Sequence, residues 1–210
     1  MAVTNGVAEK RPGTGRILYH SLLAIRHDPR ILGVFAVTGA IAALVPSVAS
    51  NLVHLFGIVV GVTFGYRALG GEVTAESSLT SRTGIALVTV CMMAVPVGAG
   101  LLLLAVPGLY LIGRWWVVLP AVMIDGRGPI EAMGTSWEAM EDSLTMIGSV
   151  VAIVVFSGLM ILVPVVQVIN HPFLTVTLAS TVVGSLLAAG MAALYLQYSR
   201  SGAIGEPKRE

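Results

Sequence analysis

The chain has 210 residues, 56% of them hydrophobic and 11% charged, with a net charge of +1 and a mean hydropathy of +0.89. A soluble domain of this size must cover its surface with polar groups, and about a quarter of its residues are charged. This composition excludes such a domain and a disordered chain, and with so small a net charge it gives no footing for a nucleic-acid partner.

Residues 1–16 are polar, Gly-rich and basic, without the apolar run or small-residue cleavage site of a signal peptide. Ala2 after Met1 excludes N-myristoylation, which needs a glycine there. Residues 1–15 read as a flexible tail. From about Gly15 to Asp28 the sequence predicts a surface amphipathic helix, with Ile17, Leu18, Leu22 and Ile25 on one side and Arg16, Arg26 and His27 at headgroup level. Pro29 ends it.

Three stretches then lack Asp, Glu, Lys and Arg altogether: 31–66, 83–113 and 143–199. A transmembrane helix needs about 20 mostly apolar residues, so the first and last of these each hold two crossings. Runs such as Leu101–Leu104 lack the two-residue alternation of a barrel, which leaves helices. Pro, Gly and Asn mark the turns at 46–51, at Pro107-Gly108 and at 164–172. The expectation is an all-α integral membrane domain over 16–200, with six transmembrane helices in three hairpins. The spans are about 31–48, 52–69, 85–106, 108–124, 145–166 and 173–197, and 201–210 forms a tail. Pro96 and Pro120 lie inside spans and should kink them.

Eleven of the twelve basic residues then fall on one side: Lys10, Arg11, Arg16, Arg26, Arg30, Arg67, Arg82, Arg127, Arg200, Lys208 and Arg209. Cytoplasmic loops are enriched in Lys and Arg, so both termini are expected in the cytoplasm of a multi-pass cell-membrane protein. Cys91, the single cysteine, reads as a small buried hydrophobe.

Gly57, Gly61 and Gly65 share one face of the second span, and Gly184, Ala188 and Ala192 share one face of the sixth. Such small-residue stripes let backbones approach closely, either within the bundle or across a homodimer. After Gly128-Pro129, the residues Ile130, Met133, Trp137, Met140 and Leu144 form an apolar stripe opposite Glu131, Glu138, Glu141 and Asp142. This second amphipathic helix is expected to dock on the cytoplasmic ends of the spans, and its acidic face could meet a soluble partner.

Arg114 is the exceptional basic residue. It stands about seven residues into the fourth span, roughly 10 Å below the outer turn. A central arginine costs roughly 2.5–3.5 kcal/mol unless relieved, and no carboxylate lies at its depth. The alternatives are snorkelling, backbone carbonyls freed by a proline, a cavity, or an anionic ligand such as a lipid phosphate. Trp115 and Trp116 beside it suggest an interface, and Tyr110 lies one turn away. Arg114, Trp115 and Tyr110 are thus the ligand-binding candidates. No catalytic motif occurs, and His54 and His171 lack a third metal ligand, so no metal or cofactor is expected.

The order Pro107-Gly108-Leu109-Tyr110, Arg114, Pro120, Asp125, Gly128-Pro129, Ala132, Ser136-Trp137-Glu138 resembles the core of a multispan prokaryotic family. That family includes YciC-like proteins and the membrane domain of some glycerophosphodiester phosphodiesterases. Ser21 to Arg30 is similar to its lead-in to the first helix. Gly134-Thr135 and Glu141-Asp142-Ser143 stand where that family carries basic residues. The resemblance implies the fold and a membrane location, and it carries the family's arginine onto Arg114. It implies no enzyme activity, because the phosphodiesterase resides in a separate soluble barrel. The expected function is that of a non-enzymatic polytopic protein in envelope or lipid organisation. The alternatives are a small transporter or channel for an anionic solute or lipid headgroup, and an adaptor working through helix 129–143. Expected partners are the bilayer, an anionic headgroup and a second copy of the chain.

Overall fold

The computed structural model describes residues 14–45, 47–74, 77–104, 106–141, 177–178 and 180–201, and every element among them is helical. In chain order these are α1 (Thr14–His27), α2 (Arg30–Ala42), α3 (Ser47–Ala68), α4 (Leu79–Leu104), α5 (Val106–Arg114), α6 (Val118–Asp125) and α7 (Pro129–Ala139). A π-helical turn, Ser180–Gly184, then runs into α8 (Ser185–Arg200).

Among the described residues, four segments are long and apolar enough to cross a bilayer: Ala49–Ala68, Leu79–Leu103, Val106–Asp125 and Ser180–Arg200. A bilayer is therefore the environment this fold fits. The first expected span is shorter than drawn, since α2 has 13 residues, or about 20 Å against a hydrocarbon core of about 30 Å. Ser47–Asn51, expected in a turn, already belong to α3, where Ser and Asn suit a helix start. The expected span 145–166, the start of 173–197 and the tails lie outside the described residues.

Both small-residue stripes are spent inside the chain. Phe35 of α2 is buried, and its ring fills a socket where a methyl group on Gly57, Gly61 or Gly184 would stand 3.4, 2.7 or 2.2 Å from ring carbons. One turn further along, Gly65 faces Ala192 and Ala189 of α8. The faces read as a dimer contact are thus filled by α2, α3 and α8, and a second copy finds neither stripe open. His54 of α3 ties the same region together. Its Nδ1 reaches the Ser50 carbonyl (2.9 Å) and its Nε2 reaches Ser180 Oγ (2.5 Å). A carbonyl only accepts, so Nδ1 is the donor in the first of these bonds.

α1 packs against α8 through Ile17, Ser21 and Ala24, with Ser21 Oγ 3.6 Å from the methyl position of Gly190. Leu22, placed with Ile17 on the apolar side, is 59% exposed. The small residues win the inward face because they allow the closer helix approach. α4 is the least enclosed helix: Val88, Met92, Val95 and Leu101–Leu103 are exposed, and Cys91, expected to be buried, is exposed with them. In a bilayer this side faces lipid. α4 meets α5 backbone to backbone, a methyl on Gly100 falling 2.8 Å from Gly108 N, so glycine is required there.

Candidate functional site

The fourth expected span, 108–124, is not one helix. Pro120 cannot donate to the carbonyl of residue 116, and its ring crowds that carbonyl. The chain responds one turn upstream, where residues 115–117 leave the α-helix. Trp116 N–H bonds to the Gly113 carbonyl and Val118 N–H to that of Trp115, both three residues back. Pro120 itself sits in the first turn of α6, where its missing N–H costs nothing. The break leaves the Arg114 carbonyl without its helical donor.

α6 stops at Gly126, a left-handed residue (φ 72°) whose N–H and that of Arg127 bond back to Val122 and Ala121. Pro129 then starts α7, which folds back along α6 instead of lying across the ends of the spans. Ala132, Ser136 and Ala139 form its buried face. Met140 is buried and Met133 half-buried, whereas Ile130 is 77% exposed and Trp137 is partly open. The apolar stripe read from the sequence therefore divides between core and surface, again because small residues take the tightest contact.

This return brings α7 to Arg114, and the two exchange bonds. Ser136 Oγ donates to the orphaned Arg114 carbonyl (2.7 Å), and Arg114 Nη1 donates to the Trp137 carbonyl (3.0 Å). The Trp137 carbonyl is itself free at a helix end, because the N–H groups of Met140 and Glu141 bond to Ser136 and Glu138. Arg114 Nε donates to Tyr110 Oη (2.9 Å). The guanidinium carbon lies 4.4 Å from the Trp137 ring centroid and 5.6 Å from that of Tyr110, and these two rings meet edge to face. The arginine is 6% exposed. A cation at the C-terminal carbonyls of a helix is favoured by their partial negative charge.

Of the three ligand-binding candidates, Arg114 and Tyr110 are thus brought together and Trp115 is not. Trp115 and Trp116 are buried in the core. The aromatic partner of Arg114 is Trp137, which sequence reasoning had placed only on an amphipathic stripe. Arg82 repeats the device. It is buried, and its Nη1 donates to the Met123 carbonyl (2.7 Å) at the end of α6.

A polar cluster missed by the sequence reading centres on Asp125. Its carboxylate accepts from Tyr195 Oη, from Thr74 Oγ1 (3.1 Å) and from Arg127 Nε (3.4 Å). Arg127 Nη1 reaches Glu131 (3.2 Å) and Thr135 Oγ1 (2.9 Å). Tyr195 packs edge to face on Tyr66 of α3. One carboxylate thereby fastens α6, α8 and the segment after α3. Its signal was available in the alternation of Asp125, Arg127 and Glu131 around a turn. Among the described residues no three His, Cys, Asp or Glu side chains converge as metal ligands. Comparison with protein families, curated proteins and solved structures finds no match.

Proposed function

We propose that this chain is a non-enzymatic, multi-pass protein of the cell membrane that acts in envelope or lipid organisation, with both termini in the cytoplasm. The single observation that carries this is how its buried charges are used. Arg114, Arg82, Arg127 and Asp125 all reach inward, and each is engaged in bonds between helices. Six crossings and the family resemblance accord with this reading, since an even number keeps every loop-borne arginine on one side.

A transporter built on Arg114 would need that guanidinium to leave Tyr110 and Trp137 for its solute. In the structural role, the arginine closes the end of α7 and holds it against the broken span. The direct test is the full-length protein reconstituted in vesicles and supplied with phospholipid and phosphodiester substrates and with anionic solutes. Neither turnover nor flux is expected above empty vesicles, and either one refutes the proposal.

A further inference from the structure

Arg30 and Arg67 line one open groove of about 640 Å³, which lies between the α1–α2 corner and the end of α3. His27 and Asp28 complete its polar wall, and Pro29 and Phe64 form part of an apolar one. Both arginines are exposed, and their guanidinium groups make no hydrogen bond or ion pair among the described residues. The Asp28 carboxylate is turned to the chain instead, accepting from the Arg30 backbone N–H (3.0 Å). Two full positive charges against one carboxylate leave the groove net cationic.

We infer that this groove binds the phosphate of an anionic lipid headgroup. The inference rests on the membrane reading above and gives it a ligand. The groove sits where α2 begins and the apolar span Ala49–Ala68 ends, which is headgroup depth for a crossing helix. Guanidinium groups bind phosphate in bidentate fashion, and basic pockets between helices on the cytoplasmic side suit anionic headgroups. Phe64 and Pro29 offer the adjoining glycerol and upper acyl chain an apolar wall. Arg114, by contrast, has its guanidinium engaged within the fold.

The test titrates the purified full-length protein in mild detergent with phosphatidylglycerol or phosphatidylcholine and counts bound lipid by native mass spectrometry. Phosphatidylglycerol should bind more tightly. The Arg30→Gln/Arg67→Gln double variant should weaken it roughly 30-fold, the product of about fivefold for each basic residue at a charged membrane surface. Asp28→Asn keeps the backbone bond, removes the charge and should strengthen binding about fivefold. Arg16→Gln, outside the groove, should change nothing. Intact folding of each variant is read from the fluorescence of Trp115, Trp116 and Trp137, none of which lines the groove. Unchanged affinity in the double variant overturns the assignment, and so does displacement of the lipid by millimolar inorganic phosphate. Failure of the protein to partition into vesicles refutes the membrane reading itself, whereas partition without headgroup preference refutes only the groove.

Discussion

Replacing Arg114 with Met separates a structural arginine from a ligand site. The substitution removes the Nη1 bond to the Trp137 carbonyl and the cation over the Trp137 ring. It leaves that carbonyl unpaired at a part-buried helix end, at about 1 kcal/mol or somewhat more, and forfeits up to about 2 kcal/mol of cation–π attraction. Against this, the bundle no longer carries a desolvated charge, and Met refills part of the space. The balance is a loss of about 2 kcal/mol. Ser136→Ala orphans the Arg114 carbonyl and should cost about 1 kcal/mol by itself. The two bonds close one clasp, so the double variant should fall short of the sum by at least about 0.5 kcal/mol. Unfolding by titrated detergent, followed by tryptophan fluorescence in mixed micelles, measures all three. Full stability of Arg114→Met together with lost solute or lipid binding would refute the structural assignment and make the arginine a ligand residue.

Gly184→Ala places a methyl 2.2 Å from Phe35 Cδ1, well inside contact, and should cost about 3 kcal/mol, the upper end for overpacking a core. Phe35→Leu in the same chain should recover part of that loss, and unfolding midpoints of the two variants check it. Asp125→Ala should cost about 3 kcal/mol, the low end for a broken buried ion pair because Arg127 keeps Glu131. Tyr195→Phe added to it should cost less than half what it costs alone, read from the same unfolding curves.

Charge and hydropathy carried the helical class and the bilayer environment, because a bilayer tolerates few exposed charges along the chain. Gly57, Gly61, Gly65, Gly184, Ala188 and Ala192 were legible as close-packing faces from their spacing alone. Their partner was not, since a stripe states how near a backbone can come and not whose. Size and hydrophobicity alone did not say which residues of α1 and α7 meet the bundle. In water the larger apolar residue is expected inward, but against lipid there is little driving force to bury Leu22 or Ile130, and Ser21, Ala24, Ala132 and Ser136 pack closer. Pro120 was visible as a disturbance, although the break appears one turn upstream of it. The Asp125 cluster depends on Thr74 and Tyr195, residues 51 and 70 positions away, and local spacing holds no trace of such pairs.

The missing carboxylate near Arg114 posed the problem on which the site turns, and helix ends supply its solution. A chain that reverses within a bundle exposes carbonyls at every helix C-terminus, and in an apolar setting each unpaired carbonyl is costly. Those carbonyls hold about half an elementary negative charge, so a buried guanidinium and an open helix end neutralise each other's cost. Arg114 on α7 and Arg82 on α6 are two uses of this exchange, and neither needs an acid. The segment Val106–Asp125 is long and apolar enough to cross a bilayer, with α5 half-buried and α6 wrapped in protein. Its arginine stands where the two helices part, held by the helix that returns to meet it.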